Sequence, residues 1–229
     1  MVRPIKKKQI TNLQEAIKNT AWKQIAEFGA PALSLRAIAR ELKITAPAIY
    51  NYFQDRDALV TALVIDAYNS FGDSQLAARD SVTAKEHKKR FFAIGMAYRI
   101  WAHTHPQRYQ LIFGTPIPGY QAPFEKIFPS SVRSISALVS VVESMRVDGM
   151  LKIDSFPKVK AEYKISFDMW KTHGGEADVL SLSIAMLIWA RVHGIVSLEI
   201  AGNLPPFGVT GDDLYLYEMN SIVNLFIKE

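Results

Sequence analysis

The chain has 229 residues, 49% of them apolar and none of them cysteine, which allows a sizeable core and excludes disulfides, thiolate metal sites and cysteine nucleophiles. Lysine and arginine number 27 against 22 acids, and the surplus is local, because residues 1–56 hold ten bases and four acids while the remainder is nearly balanced. That asymmetry is the footprint of a polyanion-facing module on a neutral body.

The basic opening MVRPIKKKQI leads into an amphipathic pattern rather than a signal-peptide core. No apolar run approaches the roughly 18–20 residues of a membrane span, so a soluble cytoplasmic protein without a membrane partner is expected. Ile10, Leu13, Ile17, Ala21, Ile25 and Phe28 recur every three or four residues and predict a first helix from about Gln9 to Phe28. Gly29 and Pro31 end it. Ser34 is suited to cap a second helix that turns Leu35, Ile38, Ala39 and Leu42 inward. Thr45 can cap a third, with Pro47 tolerated in its first turn. Asp55 can cap a fourth that runs on through Leu59 and Leu63 to about Phe71. Further helices are expected over Lys85–His103, from Pro106 through PQRYQLIF, over Pro123–Val147, over Glu176–Ala201 and over Asp212–Ile227. LKIDSFPKVKAEYK and KTHGGEAD read as polar connections. No strand pattern stands out, so the fold class is all-α: a three-helix N-terminal unit (1–55) joined by a linking helix (56–71) to a larger helical domain (56–229).

The second and third helices are separated by only Lys43, Ile44 and Thr45, a gap short enough to cross them as a helix-turn-helix. Ile44 and Ile49 would pin that crossing from inside. Thr45, Ala46, Ala48, Asn51 and Tyr52 are left facing out, with Tyr50 at the edge. Small side chains let a helix lie deep in a major groove, Thr and Ala can meet thymine methyls, and Asn can read adenine with both ends of its amide. Tyrosine hydroxyls and the N–H groups of a helix start suit phosphate oxygens. Double-stranded DNA is therefore the expected partner. The competing reading is an all-α dimeric scaffold whose basic end meets an acidic protein or a membrane surface.

The run SLRAIARELKI, TAPAIYNYF and DRDAL, preceded by Phe28–Gly29, resembles the DNA-binding signature of TetR-type transcriptional regulators over about Gln9 to Leu63. The resemblance implies that Ser34 and Tyr50 contact phosphates and that Thr45, Ala46, Ala48 and Asn51 face base edges. Tyr52 stands where many members have a phosphate-contacting histidine, and Arg56 where many have lysine. Lys43 departs from a common glycine, which implies either an altered turn or an added phosphate contact. Pro47 also departs, from a more usual small residue. Arg3, Lys6, Lys7 and Lys8 are either a DNA-following arm or a solvated tail.

In the neutral body, Leu182, Met186, Trp189, His193, Val196 and Ile200 recur at alternating spacings of four and three, the repeat of a helix packed along another. With Leu214, Tyr217, Ile222 and Leu225 of the last helix they suggest a four-helix seam between two copies, although the same stripe could face the chain's own core. Trp189, His193 and Gly194 resemble the tryptophan–histidine–glycine signature of one class of TetR-type C-terminal domains, and HPQRYQLIFG is similar to a segment of that class. The resemblance implies a homodimer on a palindromic operator and a small-molecule effector in the body. Tyr98, Trp101, Phe113 and Met145 are expected as walls of that site and His105 as its polar anchor. No cofactor and no metal site is expected, since His103 and His105 are spaced for opposite helix faces. No nucleophile elbow, phosphate loop or HExxH suggests an enzyme.

Overall fold

The computed structural model describes residues 12–204 and 211–228; the basic stretch Arg3–Lys8 lies outside them. The described chain is built from ten helices: α1 Leu13–Phe28, α2 Leu35–Glu41, α3 Ala46–Tyr50, α4 Arg56–Asp80, α5 His87–Thr104, α6 Pro106–Phe113, α7 Phe124–Val147, α8 Ala161–Gly174, α9 Val179–Ile200 and α10 Asp212–Phe226. Among the described residues, one antiparallel bridge, Leu151 to Ile227, is the only β pairing.

Of the caps read from the sequence, Ser34 and Asp55 are made and Thr45 is not, while Asn12 supplies one that the sequence reading did not name. Asn12 Oδ1 accepts from Glu15 N–H at 3.2 Å, Ser34 Oγ from Ala37 N–H at 3.4 Å, and Asp55 Oδ1 from Ala58 N–H at 2.7 Å. Each satisfies a backbone donor that the first helical turn leaves unpaired. From its Asp55 cap α4 continues to Asp80, nine residues past the expected end, and packs most heavily on α7 and α5. A helix absent from the sequence reading, α8, fills part of the stretch taken as polar connection. Lys160 at its N-cap makes no capping bond, so no start signal marked it.

Two buried clusters divide within α4. The first joins Ile17, Ala21, Ile38, Ile49, Phe53, Leu59 and Leu63, and is completed by Ile117 and Ile127 from beyond α6. The second gathers Phe71, Phe91, Tyr98, Trp101, Met145, Leu182, Val196, Tyr215 and Ile222. Arg99 ties α5 to α9 through Glu199, with Nε–Oε2 at 2.9 Å, and also bonds Asp212 at the start of α10.

The packing corrects which residues of the seam expected on α9 and α10 are open to a partner. Leu182, Val196 and Ile222 are enclosed by the chain's own core, and Trp189 and His193 turn into the body among aromatic rings. Leu214 is half-buried, and Met186, Tyr217 and Leu225 are exposed. The apolar residues that α9 leaves open are Met186, Leu187, Ala190 and Leu198, a stripe rotated by about one residue step, or 100°, from the sequence-read one. Periodicity located a stripe correctly but not its neighbour, because α9 is apolar on almost every side. The same composition corrects one point of the sequence reading, that no apolar run approaches the length of a membrane span, since α9 is long and apolar enough to cross one. Here it has seven residues buried in the chain's own core.

Candidate nucleic-acid interface and body cavities

The turn between α2 and α3 is fixed by backbone bonds. Ile44 N–H donates to Ala39 O at 3.0 Å and Lys43 N–H to Arg40 O at 3.2 Å, the paired bonds of a helix end whose next residue is left-handed. Lys43 takes that place with φ 56°, the only positive φ of a non-glycine residue among those described. The same two bonds end α7 at Gly149 (φ 69°) and α9 at Gly202 (φ 68°). The α2–α3 turn thus has the ordinary shape, made with a residue that is strained in it.

Five residues make α3, far too few to persist alone. Ile49 is wholly buried and Phe53, just past its end, nearly so. Opposite them, Thr45, Pro47, Tyr50, Asn51 and Tyr52 are exposed and Ala46 and Ala48 half-exposed. Thr45 makes no side-chain cap bond, so its hydroxyl is not committed to the helix start. Lys23, Arg36, Arg40 and Lys43 are exposed on the same unit. Ser34 is half-buried, and its N–H donates to Gln24 Oε1 at 3.3 Å, which ties the start of α2 to α1. Arg56 is used differently from the expectation. Its Nη2 donates to the carbonyls of Ala30 at 3.2 Å and Pro31 at 3.1 Å, so it clamps the α1–α2 connection onto α4.

In the body, the expected pocket residues separate. Trp101 donates from Nε1 to Ser70 Oγ at 3.0 Å and packs on Phe71 with centroids 4.9 Å apart; Met145 is 1% exposed. Both are core. His105 lies against Trp101, lines neither of the larger cavities described below, and is shifted toward neutrality by burial and then by the Arg108 charge. Tyr98 borders only a residual void of about 20 Å³. Phe113 alone of the five lines real space: it borders a cavity of about 240 Å³ with Tyr68, Phe128, Trp170, Met186 and Trp189. It also borders a groove of about 790 Å³ between the α1–α2 connection, α6 and the end of α9.

The polar centre is one that sequence reasoning assigned elsewhere. His193 Nδ1 lies 2.7 Å from Tyr98 Oη and 3.1 Å from Tyr109 Oη, and Nε2 lies 3.1 Å from Ser197 Oγ. Trp189 stacks on the imidazole at 4.7 Å. Burial holds the His193 pKa below its usual value and raises those of both tyrosines, so the group is a neutral knot of phenols, imidazole and hydroxyl. Tyr109 was readable in HPQRYQLIFG, but its link to His193 spans 84 residues and has no local signal. Among the described residues no cluster of His, Asp and Glu could hold a metal.

An N-terminal helix-turn-helix with an outward face of small and hydrogen-bonding residues, carried on a larger α-helical body, is the architecture of a DNA-binding regulator. The bacterial tetR-family regulatory protein model matches residues 17–63, and the tetracyclin repressor-like C-terminal domain model matches residues 91–221. The HTH-type transcriptional regulators Rv1816 of Mycobacterium tuberculosis and Mb1846 of Mycobacterium bovis are each 33% identical over 200 residues, covering 83% of this chain and 81% of theirs. The crystal structure of the regulatory protein SCO4313 aligns with TM-score 0.74 at 33% identity, over 98% of this chain and 100% of that one. A protein of unknown function from Rhodococcus sp. RHA1 gives the same TM-score and coverage at 21% identity, a likeness of fold. The chain belongs to the TetR family of transcriptional regulators: it binds DNA through its helix-turn-helix and is not an enzyme.

A left-handed lysine costs about 1–2 kcal/mol, of which glycine's larger chain entropy cancels roughly 0.5–1. Lys43→Gly should therefore raise stability to urea by about 0.5–1 kcal/mol. It should also weaken DNA binding and flatten the plot of log K against log salt by about 0.9; an unchanged slope would take Lys43 out of the interface.

His193 gives a pH prediction. Its folded pKa is depressed, so below the unfolded value of about 6.5 the unfolded chain binds more protons. Stability is full above that value and falls as pH drops through it. Urea unfolding at about pH 7.5 and about pH 5.5 should show this loss in the parent and a smaller one in His193→Gln.

Proposed function

We propose that this TetR-family protein is a homodimeric repressor, released from a palindromic operator by a small molecule bound in its body, and that it works in the cytoplasm. The observation that carries the DNA part is the exposed side of α3, where Tyr50 and Asn51 stand free beside Ala46 and Ala48 while Ile49 is fully buried. In this reading Asn51, Thr45, Ala46 and Ala48 meet base edges, and Ser34, Lys43, Tyr50 and Tyr52 meet phosphates. Residues 1–55 read DNA and residues 56–229 hold effector and partner, with α4 between them.

One five-residue helix reads too few base pairs, so two copies must place their α3 helices about 34 Å apart. The open stripe Met186, Leu187, Ala190 and Leu198, flanked by Leu216 and Tyr217 of α10, supports pairing through α9 and α10. Gly194 lies in that stripe with nothing within 4 Å of where a Cβ would stand, which lets a partner helix approach its backbone closely. Arg191, bonded to Glu218, holds the two helices of this face together.

The effector part is supported by α6, which touches both halves. Tyr109 joins the His193 knot at one side of α6, while Arg108 lies over the Trp22 ring of α1 at 5.1 Å. Tyr68 of α4 donates to Ile112 O at 3.4 Å, Thr61 of α4 bonds Tyr120 at 3.0 Å, and Lys18 of α1 bonds Asp66 of α4 at 2.7 Å. A molecule in the Phe113–Trp189 cavity would displace α6 and, through these contacts, α1 and α4. That changes the separation of the two α3 helices. Linkage then requires operator DNA to weaken effector binding by the same factor.

Asn51→Ala should cost about 1–3 kcal/mol of operator affinity, and relax the preference at one base pair, with unchanged thermal unfolding. Parent-level affinity for the operator, with the parent's discrimination against a base-substituted form retained, would sink the base-reading role. Leu187→Glu with Ala190→Glu should convert the dimer to a folded monomer in analytical ultracentrifugation, since two carboxylates would be buried unpaired. A dimer that survives both changes would place the seam elsewhere.

A further inference from the structure

Among the described residues, the groove between the DNA-reading unit and the body is larger than the body cavity lined by Phe113 and Trp189. One wall is the connection Gly29–Pro31, the other is the segment Gly114–Pro118, and the floor is α6 with Ser197, Ile200 and Ala201 of α9 behind it. Its volume of about 790 Å³ falls within the roughly 300–1,000 Å³ of small-molecule sites, whereas the body cavity of about 240 Å³ falls below that range.

Its chemistry is unusual for this chain. Charged residues make up 21% of the sequence, yet the groove is lined by none. The nearest base on α6, Arg108, is turned away onto Trp22. The polar groups that do line it are the amides of Gln107 and Gln110, the Thr115 hydroxyl and the Tyr109–Ser197 pair, whose oxygens lie 2.8 Å apart. Amides and hydroxyls can both donate and accept without charge. Around them stand Ile25, Leu111, Phe113, Ile117 and Ile200. Pro31, Pro116 and Pro118 in the walls carry no N–H, so the walls are poor edges for an extended peptide to pair with.

We propose that this interdomain groove is a second ligand site, for an uncharged, elongated and mostly apolar molecule bearing carbonyl or hydroxyl groups, with Phe113 as its inner end wall. A charged ligand would lose its hydration there without gaining a partner. Gln107 and Gln110 take the polar groups at the mouth, and the apolar length lies along Ile117 and Ile200 toward Phe113. Phe113 is also a wall of the body cavity, so movement of one ring would join the two spaces. The ligand would touch Ala30 and Pro31, whose carbonyls hold Arg56 at the start of α4, and Ser197, which bonds His193. It would bridge the reading unit and the body directly, independent of any effector in the body cavity.

The test uses the full-length protein and Nile red, an uncharged apolar dye that fluoresces when removed from water. Saturable binding at one dye per protomer is expected. The double variant Gln107→Glu/Gln110→Glu should weaken it at least tenfold, and Gln110→Glu alone, at an exposed position, by a smaller factor, with circular dichroism unchanged. Ile135 is another wall of the body cavity, and Ile135→Trp, which fills that cavity, should leave dye binding within twofold. Loss of binding in Ile135→Trp with parent-level binding in the glutamate variants would overturn the proposal, placing the dye in the body cavity and leaving the effector reading intact. Binding insensitive to all three variants would also overturn it, placing the dye on the open α9 face, as would absence of saturable binding.

Discussion

The structure depends on the insertion of Ile49 and Phe53 beneath a helix that cannot exist without them. A single turn and a half of helix returns too few hydrogen bonds to offset the dihedral freedom it fixes. Burying an isoleucine or phenylalanine side chain contributes about 1.5–3 kcal/mol each, and both sit in the same cluster as Ile38, Leu59 and Leu63. Because α3 is secured entirely from below, none of its outer residues has a structural task. Ala46 and Ala48 can stay short and Asn51 can keep its amide free. A longer, self-sufficient helix would have needed stabilising side chains on the very face proposed to meet DNA.

The cluster that holds α3 is not confined to the first 55 residues. Ile117 and Ile127, on the far side of α6, close it, and Leu111, Ile112 and Tyr120 pack against its edge. The reading unit therefore shares its core with the segment between α6 and α7, which also forms one wall of the groove. Interiors are close-packed and transmit displacement instead of absorbing it, so a shift of α6 reaches Ile117 and hence the underside of α3. The coupling proposed above would need no flexible joint, since this one cluster reaches from the reading unit into the body.

What the sequence disclosed follows the range of the forces involved. Ser34 and Asp55 announce the starts of α2 and α4 because a cap is a contact between residues three apart. The outward face of α3 was legible for the same reason, as five residues on one turn settle which side Ile49 occupies. The body was less legible because its information is non-local. The four-three repeat on α9 is real, but whether it faces a partner or α5 and α7 depends on residues about a hundred positions away, such as Tyr98 against His193. Chemical type alone does not separate pocket walls from core at Trp101 and Met145, because an aromatic or thioether fills a core as readily as it lines a cavity. The clamp by Arg56 was hidden because its acceptors are backbone carbonyls, which every residue possesses.

Lys43 is where local and global requirements disagree most plainly. The ends of α7 and α9 show what this fold does when only the turn matters, placing Gly149 and Gly202 at the left-handed position. At the end of α2 the same bonds are made, so the geometry has not been relaxed to suit lysine; the strain is kept. Backbone strain concentrates at functional positions because the surroundings can enforce it and the function rewards it. Here the surroundings are Ile44 and Ile49 below the turn, and the exposed lysine stands two residues before Thr45 at the start of α3. A glycine there would stabilise the free protein and remove a cation beside the reading helix. The retained strain is then best understood as stability given up for attraction to a polyanion, which is the direction the local charge excess of the first 56 residues also takes.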